Sequence, residues 1–338
     1  MKTMCPATIF LVTLFSLLIP THSAPDPTLD THWQLWVKTH QKNYKDAEEE
    51  RARRTIWEET LKFITVHNLE HSLGLHTYEV GMNHLGDMTM EEFTATMSGF
   101  QASDDPVPNV MYVSQEGVSP PEAIDWRKKN YVTEVMDQGD CQSCYAFSAL
   151  GALEGQWKKK SGKLVSLSAQ NLVDCSQNEG NNGCNRGTMV NSYEYIKHHG
   201  VNTNISYPYE GREGRCRFNA NNVVARCSGY VAIPIGSEEK LKQAVGTIGP
   251  VAVAIDSNHL EFRQYKKGVY TNKKCDDTYL GQDHAVLVVG YGREDGEDYW
   301  LVKNSHGIDF GDKGYIKMRR NHHNHCGIAN HASYPIFS

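Results

Sequence analysis

Phe147, Leu150, Leu153 and Trp157 fall three or four apart within residues 146–160, the spacing that gathers side chains on one face of a helix. A second, capped helix is expected over residues 166–175, and a third from the Gly-rich turn at 183–189 to about His199. Ser237 opens another over 237–245. From about residue 222 the texture changes to short runs with β-branched residues, 251–255, 285–290, 299–303 and 314–318, which read as strands. Helices first and strands afterwards predict an α+β protein of two lobes, the first helical and the second β-rich, with a cleft between them.

Ahead of this lies a helical stretch, residues 28–100. Trp33, Trp36 and Val37 mark a short amphipathic helix. Glu49, Arg53, Trp57, Thr60, Ile64 and Asn68 then recur at spacings of three or four and share one helical face. Residues 102–121 are rich in Ser, Asp, Pro and Gly without periodicity and read as an exposed linker, the place where cutting is expected.

At 338 residues and 39% hydrophobic the chain can bury a sizeable core, and its net charge of −6 makes no case for nucleic acid. Met1-Lys2, an apolar run at 9–19 and Thr21-His22-Ser23 read as a signal peptide spanning residues 1–23. That run is too short for a membrane anchor. Of nine cysteines, Cys5 lies in the signal peptide; setting aside Cys144 and one odd thiol leaves six, enough for three disulfides in an oxidising compartment. Asn204-Ile205-Ser206 is an N-glycosylation sequon, a short motif that often goes unused.

Cys144, just ahead of residues 146–160, would stand in a first helical turn, where free N–H groups and the macrodipole favour a thiolate. Gln138 offers an amide N–H to an oxyanion forming beside it. Taken alone, Cys141 and Cys144 also fit a disulfide, a redox pair or half a zinc site. His284, opening one strand run, and Asn304, closing another, complete the order Cys, His, Asn. With Gln138 this order resembles the papain-like cysteine peptidases, and within them the cathepsin L subgroup, from about residue 28 to the end.

The resemblance implies a preproenzyme: a signal peptide at 1–23, an inhibitory propeptide at 24–119 and a peptidase domain at 120–338. The six-residue face matches the interrupted Glu-Arg-Phe-Asn-Ile-Asn pattern of such propeptides, with Trp57 for Phe and Thr60 for Asn. Gly81, Asn83, Leu85 and Asp87 match their Gly-Asn-Phe-Asp pattern, with Leu85 for Phe. A propeptide of this kind crosses the cleft backwards until acid loosens it, with carboxylates such as Asp87 as acid sensors. In the peptidase, Cys144 attacks the peptide carbonyl, His284 exchanges the proton, Asn304 orients His284, and Gln138 with the Cys144 N–H holds the oxyanion. The thiol is expected to ionise far below its ordinary value of about 8.5. Implied disulfides are Cys141–Cys184, Cys175–Cys216 and Cys275–Cys326, leaving Cys227 free and buried. Gly187 would hydrogen-bond substrate, while Met189, Ala254, Ala285 and His331 would line the pocket for the residue before the cut, P2. No cofactor or metal is called for. Implied partners are protein and peptide substrates, the chain's own propeptide and cystatin-type inhibitors, for a monomer in the lysosome or extracellular space.

Departures from the family cluster at the site. Gln142 stands where Gly is usual and would project at the S1 wall; Arg186 also replaces Gly, and Tyr145 and Phe310 each replace Trp. His306 replaces the Trp that covers the Asn–His bond, so that bond is expected to be exposed and weaker, by roughly 1 to 3 kcal/mol, or tenfold to a hundredfold in rate. Such changes also suit an alternative, a weakened or silenced homologue that binds peptides or proteases. His331 either titrates within the P2 pocket or points to solvent. His322, His323 and His325 beside Arg319 and Arg320 read as a solvated loop rather than a ligand set.

Overall fold

The computed structural model describes residues 24–102 and 110–337. The signal peptide expected at residues 1–23 lies outside them. The chain divides into two compact units, one ending at Thr55 and the other beginning at Ile56.

In the first unit, α1 (Asp30–Thr39) buries Trp33 and Trp36, whose rings stack 5.4 Å apart. Arg54 donates to the Asp26 carbonyl at 2.9 Å. The long helix α2 (Ala47–Ser72) begins here and runs on into the second unit. Its Trp57, Thr60 and Ile64 are buried, and Asn68 closes the same face by pairing with both backbone groups of Val80, at 2.8 and 3.0 Å.

The second unit contains a sheet that runs through both the early and the late parts of the sequence. Its strands are β1 (Tyr78–Val80), β2 (Ile124–Asp125), β5 (Gly229–Ala232), β6 (Val251–Ile255), β7 (Tyr265–Tyr270), β8 (His284–Glu294), β9 (Glu297–Lys303), β10 (Tyr315–Arg319) and β11 (Ser333–Ile336). Their order is β1-β7-β10-β9-β8-β6-β11-β5, with β2 against β8. Two short strands, β3 (Val201–Asn202) and β4 (Val223–Ala225), pair separately. β6, and β8 from Ala285 to Val289, read as unbroken apolar runs because both are buried there.

The helices are α3 (Met90–Met97), α4 (Cys144–Ser161), α5 (Ala169–Cys175), α6 (Met189–His199), α7 (Glu238–Thr247) and α8 (Leu260–Arg263). α3 opens with a capping box between Thr89 and Glu92, which satisfies two of the N–H groups a helix start leaves unpaired. α4 is buried on nearly every side from Cys144 to Gln156, as a central helix must be. It lies close on β8: Ser148 Oγ donates to the Val286 carbonyl at 2.7 Å, and a Cβ on Gly151 would come within 2.6 Å of Leu287. The small residue at 151 suits this close approach, in which the Leu287 side chain fills the space a Cβ would take.

Two hydrophobic cores result. One gathers the sheet with Leu85, Phe93 and Met97 of the segment before the linker; the other gathers α4, α5 and α6 with Ala254, Ala285 and Phe100. No helix among the described residues is long and apolar enough to cross a membrane.

Candidate active site

Cys144 is the first residue of α4 and His284 the first of β8, so the element boundaries themselves place the two groups. The N-cap Ser143 gives no side-chain bond to the helix start; its hydroxyl pairs instead with Tyr209 at 2.6 Å. The first N–H groups of α4 are therefore not spent on a side-chain cap. The Ala285 N–H points at Cys144 Sγ, 3.4 Å away. His284 Nε2 donates to Asn304 Oδ1 at 2.7 Å, and the Met97 backbone also acts on the ring in favour of its charged form. Asn304 follows β9, and Oδ1 also accepts the Ser305 N–H at 2.8 Å.

Gln138 lies in the loop before α4, its amide held from both ends. Ser305 Oγ donates to Oε1 at 2.7 Å, while Nε2 donates to the carbonyls of Cys141 at 3.1 Å and Met97 at 3.0 Å. Ser305 was not singled out in the sequence; its place beside Asn304 was the only signal. Met97 belongs to the segment ahead of the linker, and its carbonyl fills the spot Gln138 points at.

That segment continues across the site. Gly187 donates to the Gly99 carbonyl at 3.0 Å, Gln101 donates back to Gly187 at 3.4 Å, and Phe100 donates to Asp283 at 2.9 Å. Phe100 and Gly187 pair in the parallel sense. The Phe100 ring lies in the core that holds Met189, Ala254 and Ala285, 5.0 Å from the ring of His331. His331 does not turn to solvent: Nε2 donates to the Tyr279 carbonyl at 2.7 Å, and burial lowers its pKa. Nothing in local periodicity marked Phe100, because its role depends on a strand far along the chain.

This cover reverses the expected ionisation. Burial pushes the Cys144 thiol up to about 12, against the N–H groups of Ala285, Gly99 and Tyr145, which favour the thiolate. Burial likewise takes His284 down to about 4, with Asn304 pulling the other way. Both groups are held neutral while residues 97–101 exclude water from them.

The family departures also differ from expectation. Gln142 does not project into an open wall; it is buried, and Nε2 donates to the Thr94 carbonyl of α3 at 3.3 Å. Arg186 is exposed with φ of +72°, a conformation that explains why glycine suits the position. With Phe93 and Met97 packed over it, His306 does not leave the Asn304–His284 bond open to water in the covered site. It is fully buried and stacks on His284 with ring centroids 4.6 Å apart. His325, expected in a solvated loop, is buried and accepts the Asn272 N–H at 2.8 Å, because it precedes the cross-linked Cys326.

Disulfides join Cys141 to Cys184, Cys175 to Cys216 and Cys275 to Cys326. Cys227 is a buried free thiol whose pKa burial raises to about 11. Asn204 is half-buried on a turn whose next residue, Ile205, is 91% exposed. Two groups of side chains have metal-like spacing, but both include a cysteine already bound in the Cys275–Cys326 disulfide.

Comparison with known proteins agrees with this geometry. Residues 120–336 match the papain family cysteine proteases, and residues 33–93 match the cathepsin propeptide inhibitor domain (I29). The chain is 55% identical to cathepsin S of Bos taurus, over 93% of this chain and 95% of that protein. It is 54% identical to cathepsin S of Mus musculus, over 92% and 91%. Among solved structures it resembles the digestive procathepsin L 3 of Tenebrio molitor larval midgut, with a TM-score of 0.86 and 41% identity over 92% of this chain and 100% of that one. The recombinant stem bromelain precursor is also similar, with a TM-score of 0.82 and 33% identity over 93% and 100%. The chain belongs to the papain family of cysteine proteases: it is a cysteine endopeptidase made as a zymogen, with a propeptide domain that inhibits its own enzyme.

Proposed function

We propose that Cys144, once uncovered, attacks the carbonyl of a peptide bond as a thiolate, with His284 as its proton partner. The thiol proton passes to His284 Nδ1, and the imidazolium keeps its Nε2 proton on Asn304 Oδ1. The thioester forms as the scissile C–N bond breaks and His284 returns the proton to the leaving amine. Gln138 Nε2 and the Cys144 N–H hold the oxyanion, at the spot the Met97 carbonyl takes in the zymogen. Water then hydrolyses the thioester, with His284 as base. The propeptide is released in acid, by cutting near residues 119–120.

The observation that carries the substrate reading is Phe100. Its ring belongs to the same apolar cluster as Met189, Ala254 and Ala285 and lies 5.0 Å from the ring of His331, while Gly187 bonds the backbone beside it. A substrate placing its P2 side chain there is expected to carry Leu, Val or Phe. Neutral His331 suits such groups; its protonated form disfavours them and admits a polar or acidic one. Because burial lowers its pKa, the change belongs below about pH 6.5. Three disulfides fit an oxidising route to the lysosome or the extracellular space, where cystatin-type inhibitors are expected partners.

The test is hydrolysis of fluorogenic peptides varied at P2 by acid-processed protein, at about pH 5 and pH 7, beside Cys144→Ala. Activity lost in the variant, with apolar P2 favoured more at the higher pH, is expected. P2 preferences identical at both pH values remove His331 as a switch. No hydrolysis, with Cys144 unreactive toward a thiol-directed epoxide, overturns the catalytic assignment.

A further inference from the structure

Asn304 has a second neighbour besides His284. Its Nδ2 lies 2.9 Å from His306 Nδ1. The orientation of this amide is fixed independently, because Oδ1 accepts the Ser305 backbone N–H, which can only donate. The amide nitrogen therefore faces His306, and His306 Nδ1 must accept, with its proton on Nε2. The three side chains form one line, His306 to Asn304 to His284, closed by the stacking of the two imidazoles.

We propose that His306 is a positioning residue: its unprotonated Nδ1 holds the Asn304 amide in the orientation His284 needs, and protonating it turns the mature enzyme off. This rests on the assignment of Cys144, His284 and Asn304 as the catalytic set. The step is one proton taken from solvent by His306 Nδ1. The N–H it creates faces an NH2 group, and two donors cannot bond. Turning the amide over relieves this, but it sets NH2 against His284 Nε2 and breaks the bond from the Ser305 N–H. The imidazolium of His284 then loses its acceptor, and two stacked cations repel each other.

The surroundings of His306 decide where this occurs. His284 faces it from β8, and His84 acts on it from the turn between β1 and α3. Phe93 of α3 and Phe310 lie edge-on, each 5.6 Å away. The Met97 carbonyl favours its charged form. Asp137, whose backbone pairs with that of His306, accepts the Gly139 N–H at a carboxylate oxygen, 2.9 Å away. Burial first, then His284 and His84, keep the ring well below its ordinary range. His84, Phe93 and Met97 all belong to the propeptide. Their departure admits water and removes both the burial and the influence of His84 that depress the ring, so His306 in the mature enzyme titrates closer to the ordinary value of about 6.5.

The test compares kcat/KM against pH for the acid-processed wild type, His306→Asn and His306→Trp. Asn offers an oxygen near the place of Nδ1 and cannot be protonated; Trp has neither acceptor nor charge. The wild type is expected to lose activity on the acid side through a limb absent from His306→Asn. The variant-to-wild-type ratio should grow about tenfold by one pH unit below the midpoint of that limb. Coincident acid limbs in all three proteins overturn the proposal. A second reading needs neither turnover nor a His306 variant: imidazole nitrogen NMR of the full-length Cys144→Ala chain at about pH 7. A proton on His306 Nε2 is expected, and one on Nδ1 overturns the proposal. No hydrolysis by the wild type at any pH overturns the catalytic assignment beneath it, whereas hydrolysis with coincident limbs overturns the proposal alone.

Discussion

Gln142 takes its role from the partner that arrives beside it as well as from its position. Where the family keeps a glycine, its amide reaches across to α3 and donates to the Thr94 carbonyl at 3.3 Å. The bond joins enzyme to propeptide, so it strengthens latency and leaves with the propeptide. Gln142→Ala removes it, at a cost to docking of about 1 kcal/mol, or roughly fivefold. Full-length Gln142→Ala is therefore expected to process faster than wild type at the same acid pH, while mature kcat/KM on a short peptide changes little. Processing at an unchanged rate would make the contact incidental. Cys144, His284, Asn304 and Gln138 stood out in the sequence because their chemistry restricts residue type. The contacts of Gln142, Ser305 and His306 did not, because each depends on which atom of a distant segment arrives beside it.

Among the elements, the segment from Met97 to Gln101, just beyond the propeptide domain, acts as an added edge to the cleft. It exchanges backbone bonds with Gly187 and Asp283 and lies so close to Gln142 that a Cβ on Gly99 would come within 2.1 Å of the Gln142 carbonyl. Backbone on both sides leaves no flexible side chain to yield. Gly99→Ala must lift the tail, withdraw the Met97 carbonyl from Gln138 and let water reach Cys144. The unprocessed variant at neutral pH is expected to react with a thiol-directed epoxide at least about tenfold faster than the wild-type zymogen, the equivalent of roughly 1.4 kcal/mol of lost cover. Equal labelling rates count against this account of latency. The helix of Cys144, the strand of His284 and the strand before Asn304 were legible, since burial on one or both faces writes itself into local spacing. β1 was not, being three residues long with a partner, β7, far along the chain, and β7 itself is interrupted by Lys266, Lys267 and Gly268. α3 escaped for a related reason: in eight residues only Phe93 and Met97 mark its buried side.

For the whole molecule, holding the propeptide is an equilibrium linked to protons. Burial in the covered state depresses His67, His284 and His306, so each binds a proton more readily once uncovered. The uncovered form therefore takes up more protons, and docking weakens as pH falls below the ordinary histidine value of about 6.5. His67 can be tested apart from catalysis. Its buried ring stacks on His76 at 4.1 Å, and Nε2 donates to the carbonyl of Tyr78, the first residue of β1. Burial and His76 oppose its charge, while the Tyr78 carbonyl, Glu261 and Glu70 partly offset them. A second proton on His67 would place a cation against His76 at the strand by which the propeptide pairs with β7. His67→Gln can still donate to Tyr78 but cannot become charged. Full-length Cys144→Ala chains with and without this change, offered to added active enzyme, should be cut at equal rates near pH 7. Below about pH 6.5 the chain that keeps His67 should be cut faster, severalfold so by about pH 5. Because the same active enzyme cuts both, its own pH dependence cancels in the ratio. A ratio of one throughout would move the acid response to His284 and His306, the other two imidazoles that burial depresses in the covered state.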